Sequence, residues 1–296
     1  SPDYLALLLA LPRLGALACP VNPRWPTALL GQALVSAGVT RIVSPTDPEL
    51  GPAGVQWYPW PGADRQERGA PIPEGEWPDD QLVTLIFTSG SSGPPKAACH
   101  TWGNHRHSAL GSAANLPLGP GDGWLMSLPL YHVGGLAILW RACLGGATML
   151  LPTDTRDLPG ALAVLDPSHV SLVPTQLHRL LATDAGMAAL ARMRALLLGG
   201  APAPDSLLDL AAQRGLPILL SYGLTEMSSQ VCTTAPGAGR EAWRSAGRLL
   251  PHRELQVADD GELLLRGATL FQGYRRTETR FIARDTAGWF HSGDLG

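Results

Sequence analysis

Leu82-Val83-Thr84-Leu85-Ile86-Phe87 runs directly into Thr88-Ser89-Gly90-Ser91-Ser92-Gly93-Pro94-Pro95-Lys96. The first six residues are apolar and partly β-branched, which predicts a buried strand. The next nine gather hydroxyls, two glycines and a lysine, and Ala97-Ala98-Cys99-His100-Thr101-Trp102 after them reads as the start of a helix. A strand emptying into such a loop predicts a phosphate cradle. Glycines let backbone N–H groups approach an anion, hydroxyls add donors, and Lys96 adds charge. The spacing is not that of a Walker loop, which needs a longer gap between its glycines and a Lys-Ser/Thr pair. As a bare pattern, a Ser/Gly-rich turn also reads as a plain linker.

Around this stretch lie 296 residues, 45% hydrophobic and 16% charged, a balance that excludes a disordered chain. The formal net charge of −3, with no local Lys/Arg cluster, gives no face for nucleic acid. Cys19, Cys99, Cys143 and Cys232 are scattered without CxxC spacing. Free thiols in a reducing, cytoplasmic compartment are therefore expected, not a disulfide framework. The longest apolar run, residues 4–11, is too short to span a bilayer and lacks a basic leader. Beginning at Ser1 and stopping at Gly296, the chain is expected to be a piece of a longer reading frame. Self-association is left open.

Working outward, residues 4–17 read as an amphipathic helix, followed by strand-like Ala18 and Val21 and a turn at Asn22-Pro23. Residues 27–38 form a second predicted helix, closed by Gly38, and residues 40–44 a strand. Residues 45–80, rich in Pro, Gly, Asp and Glu, are assigned to a surface connection despite Trp57, Trp60 and Trp77. Strands are predicted at 124–128, 147–151, 170–175, 195–201 and 216–222, with a helix through 138–143. Strands that each exit into a Gly, Ser or Thr loop predict an open α/β sheet with its site at the strand C-terminal ends. From Gly247 the texture changes to hairpins around Asp259-Asp260-Gly261, predicting a small antiparallel, distorted barrel. The expected division is 1–80, 81–245 and 246–296.

Ser221-Tyr222-Gly223-Leu224-Thr225-Glu226 carries chemistry of its own. An aromatic can stack a base, a hydroxyl can meet a phosphate oxygen, and a carboxylate can bind Mg²⁺. The same string also reads as a core tyrosine beside a solvated glutamate. Arg141 stands among Ile138, Leu139, Trp140 and Cys143, where an unpaired guanidinium is costly to bury. Either it snorkels at the helix rim, or it pairs with a carboxylate of the substrate. Cys99, His100, His105 and His107 fall within nine residues, but on one helix only His100 and His107 would share a face, so no zinc site is predicted.

The string TSGSSGPPK resembles the phosphate loop of the adenylate-forming superfamily, with Ser92 where a threonine is commoner. Leu198-Gly199-Gly200-Ala201, the 221–226 string, the 261–267 string, Gly273-Tyr274 and the closing 288–294 segment match the same superfamily in order and rough spacing. The resemblance implies an N-terminal domain of open, mostly parallel sheets covered by helices, plus the small β subdomain. It implies that ATP is bound by Thr88, Ser89, Gly90, Ser91, Ser92, Gly93 and Lys96, and by Ser221 and Gly223. Tyr222 would stack on adenine beside Gly199, Gly200 and Ala201, Thr225 would touch the α-phosphate, Glu226 would hold Mg²⁺, and Asp294 would take the ribose hydroxyls. An acceptor-only carboxylate suits a vicinal diol. A C-terminal lid domain bearing a further lysine would lie outside this chain.

Residues 96–101, 128–133, Trp140-Arg141 and 171–181 look like one branch, the 2-succinylbenzoate–CoA ligases of menaquinone biosynthesis. That branch joins a dicarboxylic keto acid to CoA at the expense of ATP. The resemblance implies His132, Arg141 and Thr175 as substrate contacts, and Thr88, Lys96, His132, Thr225 and Glu226 as the catalytic set. Gly134 replaces a serine often found there. Two rival readings remain, another aryl or fatty acid–CoA ligase and a non-catalytic nucleotide-binding fragment.

Overall fold

The computed structural model describes residues 1–49, 54–60, 75–88, 95–276, 279–281 and 284–296. Along the chain come α1 (Pro2–Arg13), α2 (Thr27–Ser36), β1 (Arg41–Ser44), β2 (Gln56–Pro59), β3 (Leu82–Thr88), β4 (Lys96–Thr101) and α3 (Trp102–Asn115). Then follow β5 (Gly123–Leu125), α4 (Val133–Gly145), β6 (Thr148–Leu150), α5 (Leu158–Leu165), β7 (His169–Leu172), α6 (Pro174–Leu181) and α7 (Asp184–Ala191). The rest are β8 (Ala195–Leu198), α8 (Asp205–Gln213), β9 (Ile218–Leu224), β10 (Ser229–Thr233), β11 (Arg248–Leu249), β12 (Arg253–Val257), β13 (Glu262–Gly267), β14 (Tyr274–Arg276), β15 (Thr279–Phe281) and β16 (Phe290–Leu295). Two compact units result: residues 1–102 with 271–283, and residues 103–270 with 284–296.

In the first unit, β3 is buried from Val83 to Phe87, as its apolar run predicts, and pairs with β4 in the antiparallel order β15-β14-β4-β3. The helix expected from Ala97 is therefore corrected to a strand. Helix propensity is a weak prior, and here Ala98 and Cys99 are buried partners of Ile86 and Leu85 on one side. On the other side Cys99 exchanges backbone hydrogen bonds with Gln272 and Gly273. The helix begins only at Trp102. Cys99 and His100 thus lie on a strand and His105 and His107 on α3, not on one helix. A second correction falls in residues 45–80, read as connection only. Gln56–Pro59 pairs in parallel with β1, and Trp57 donates its indole N–H to Ser44 Oγ at 3.0 Å. Four mostly exposed residues carry too little apolar pattern to be recognised.

In the second unit, β5 to β9 are parallel neighbours in the order β11-β10-β9-β8-β7-β5-β6, with β10 and β11 antiparallel at one edge. Side chains alternate between two apolar faces. Leu125, Val170, Leu172, Leu196, Leu198 and Ile218 pack with residues of α5, α6, α7 and α8. Trp124, Met126, Ala195, Leu197 and Leu219 pack with Leu116 and with Ile138 of α4. After β5 the chain crosses to β6 at the edge, and after β7 it runs the other way to β8. Loops at the C-terminal ends of β5 and β7 therefore diverge, which opens a crevice between them. From Arg253 onward β12, β13 and β16 form a three-stranded antiparallel sheet, so the hairpin predicted around Asp259-Asp260-Gly261 is present.

Helix α4 leaves that crevice. It is pressed onto its own entry turn, so that a Cβ on Gly135 would land on the carbonyl oxygen of Pro129. Gly135→Ala should lower stability by about 1–3 kcal/mol in urea denaturation, although alanine is the better helix former.

Candidate functional site

Thr88 and Lys96 end β3 and begin β4, and they are cross-strand partners in the register. The hairpin thus brings the first hydroxyl and the lysine of the loop side by side. Lys96 Nζ lies 5.2 Å from the Tyr274 ring centroid. Ser89, Gly90, Ser91, Ser92 and Gly93 lie outside the described residues.

The second unit holds the other candidates. Gly199 follows β8, donates its N–H to Leu172 O at 3.1 Å, and sits where a Cβ would stand 2.9 Å from the Ser221 carbonyl oxygen. Gly200 adopts φ +81°, a conformation that glycine adopts freely. The Gly199-Gly200-Ala201 corner is thereby laid, through Gly199, against Ser221 in the middle of β9. Tyr222 donates its phenol O–H to Asp294 Oδ2 at 2.7 Å, joining the proposed adenine and ribose contacts. Burial and that carboxylate raise the phenol pKa far above its ordinary value. Glu262 supports the Asp294 segment: Oε1 accepts from Gly293 N–H at 2.8 Å and Oε2 lies 2.8 Å from His291 Nδ1.

Directly after β9, Thr225–Met227 forms a 3₁₀ turn in which Glu226 is buried and Thr225 half-buried. No group of three or more His, Cys, Asp or Glu able to hold a metal occurs among the described residues. One carboxylate beside a hydroxyl fits Mg²⁺, which dehydrates reluctantly and usually takes one or two carboxylates plus substrate phosphates.

At the crevice, His132 caps α4 beside the Tyr131 ring, 4.7 Å between centroids, and desolvation holds its pKa below the ordinary imidazole value. Thr175 is exposed in the first turn of α6 at the end of β7. Gln176 ties the two strand ends together, accepting from Val173 N–H and donating to Ser127 O at 3.1 Å.

Arg141 does not snorkel; it is only 5% exposed. Its guanidinium carbon lies 5.3 Å from the Trp124 ring centroid, one terminal nitrogen donates to Ser229 Oγ at 3.2 Å, and Nε has no partner. No carboxylate neutralises it among the described residues. Burial, aided by the charge of Arg253, pushes its pKa down to about 9. Arg253 is equally buried but is satisfied by the carbonyls of Gln230, Pro251 and Ser108 and by the Ser108 hydroxyl. Two buried arginines thus differ in kind: Arg253 is built into the backbone, while Arg141 has donor capacity left over. Sequence reading missed Trp124, Ser229 and Arg253. Only a second arginine close to a predicted strand start hinted at the last.

A model of the AMP-binding enzyme family matches residues 1–275. The curated 2-succinylbenzoate–CoA ligase of Salmonella typhimurium is 38% identical over 296 residues, covering 100% of this chain and 61% of that protein. The chain therefore spans less than two thirds of the length of that relative. A solved o-succinylbenzoate CoA synthetase (MenE) of Bacillus subtilis, in complex with the acyl-adenylate intermediate OSB-AMP, is 28% identical with a TM-score of 0.87, covering 100% of this chain and 80% of that one. The same synthetase in complex with ATP and magnesium ion matches with a TM-score of 0.84 at 28% identity, covering 100% of this chain and 65% of that one.

The unneutralised charge of Arg141 has a thermodynamic signature. Its folded-state pKa of about 9 lies below the ordinary 12.5, so the unfolded chain binds more protons between those values. Below pH 9 both states are charged and the desolvation penalty is fully present; above it the penalty fades as the folded guanidinium loses its proton. Arg141→Met should therefore be more stable than the unsubstituted chain by about 2 kcal/mol at pH 7, with the gap narrowing above pH 9 in urea titrations.

Proposed function

This chain belongs to the AMP-binding enzyme family, and on that premise we propose that it is the nucleotide- and acid-binding part of an ATP-dependent acid–CoA ligase acting on 2-succinylbenzoate. The observation that carries the substrate is Arg141: a buried cation with spare donors and no acid partner calls for an anion from outside the protein. A monocarboxylic acid spends its only carboxylate on the reaction. A dicarboxylic acid brings a second one for Arg141, and planar guanidinium–carboxylate pairing fits that task.

In this reading Tyr222, with Gly199, Gly200 and Ala201, receives the adenine, and Asp294 accepts the ribose hydroxyls. Ser221 and Gly223 line the same pocket. Residues 88–96, with Thr88 and Lys96 at the ends, hold the β- and γ-phosphates, and Thr225 meets the α-phosphate. Glu226 would hold Mg²⁺, which supplies charge neutralisation on the phosphates. His132 and Thr175 border the acid. A carboxylate oxygen of the acid attacks the α-phosphorus, and the bond to the bridging oxygen breaks as pyrophosphate leaves. The CoA thiolate then attacks the acyl carbonyl carbon, and AMP leaves with the C–O bond electrons. The work of these residues is positioning and stabilisation of charge. ATP, CoA and the acid are the partners proposed, in the cytoplasm; among the described residues no helix is long and apolar enough to cross a membrane.

The test is calorimetric binding of two non-hydrolysable acyl-adenylate mimics, succinylbenzoyl and plain benzoyl, to this chain and to Arg141→Ala. The succinylbenzoyl mimic should bind the unsubstituted chain about thirtyfold more tightly, corresponding to ~2 kcal/mol for a buried charged contact, and the variant should lose that preference. Equal binding of both mimics would point to another acid–CoA ligase, and binding of neither would sink the nucleotide-site assignment for this chain.

A further inference from the structure

The Ser228-Ser229 turn is held in an unusual backbone state. Ser228 has φ 55° and Ser229 φ 109°. The first is left-handed; the second lies in a region that residues with a Cβ rarely enter. Several contacts hold the chain there. Ser108 Oγ donates to Ser228 O at 2.6 Å, Ser228 Oγ donates to Thr269 O at 3.0 Å, and Ser228 N–H donates to Thr225 O at 3.0 Å. The Ser229 carbonyl fills the space beside Gly223 where a Cβ would otherwise stand. What this conformation presents is the Ser229 hydroxyl, which accepts from Arg141. Trp124 supports the guanidinium without fixing its direction within the ring plane, because a cation–π contact is weakly directional.

Building on the reading of Arg141 as the contact for a second carboxylate, we propose that Ser229 is the positioning residue that aims its guanidinium, and so sets the preference for dicarboxylic acids. The hydroxyl holds one terminal nitrogen, and Nε makes no hydrogen bond within the protein. The same turn begins with Thr225 and Glu226, so the acid-selecting arginine is referenced to the segment proposed to meet the phosphates and Mg²⁺. Ser229 itself touches Arg141 and is not a catalytic residue.

The experiment measures the affinities of the succinylbenzoyl and benzoyl mimics for this chain, Ser229→Ala, Ser229→Gly, Arg141→Ala and the Ser229→Gly/Arg141→Ala double variant. Glycine relieves the backbone at φ 109° while removing the hydroxyl, so it separates the strain from the hydrogen bond. Both Ser229 variants should keep benzoyl affinity within about twofold and lose about tenfold of the preference, the scale of one charge-assisted hydrogen bond. In the Arg141→Ala background Ser229→Gly should have no further effect on preference, since the two act as a unit. Preference unchanged in Ser229→Gly, or equal losses for both mimics, would overturn the proposal. Absence of any preference in the unsubstituted chain would instead overturn the reading on which it rests.

Discussion

A parallel sheet packed with apolar side chains on both faces leaves its polar chemistry to the strand ends. In the second unit, helices cover both faces of β5 to β9, so most side chains between the ends meet hydrocarbon, and the buried Ser171 hydroxyl is satisfied by the Trp124 indole N–H. The candidate residues accordingly sit where strands stop: Gly199 and Gly200 after β8, Thr225 and Glu226 after β9, Thr175 after β7 and His132 after β5. Divergence of the β5 and β7 connections separates the last two and opens the crevice between them.

Arg141 is the exception among the buried side chains. It reaches in from α4, inside the apolar layer, and its charge is not neutralised there. Arg253 shows that this fold can satisfy a buried guanidinium fully with carbonyls and a hydroxyl. Leaving one arginine under-satisfied costs stability, and such a cost persists where binding returns it. Trp124 and Ser229 support the charge without cancelling it, as the proposed pairing with a second substrate carboxylate requires.

Much of this was legible in the sequence for simple reasons. Strands β5 to β9 announce themselves as short apolar runs ending in Gly, Ser or Thr, and the Tyr222–Glu226 string places an aromatic, a hydroxyl and a carboxylate in one loop. What misled was local. Ala97 and Ala98 favour a helix in isolation, yet pairing with β3 on one side and contact with residues 272–273 on the other make them strand. Gln56–Pro59 lacks alternation because it is largely exposed, so only its partner β1 reveals it.

The sequence by itself determined the α/β class, the order of the strand-and-loop units and the residue types able to meet a nucleotide. These follow from periodicity and from chemistry carried by contiguous strings. Only the tertiary structure decided whether Arg141 snorkels or is buried, that Tyr222 meets Asp294, and that Ser229 faces the guanidinium. Each of those facts joins residues 72 or 88 positions apart, or depends on what the rest of the chain packs around one side chain. Local propensity holds no information on either, because the energy of a buried charge is set by its surroundings in space.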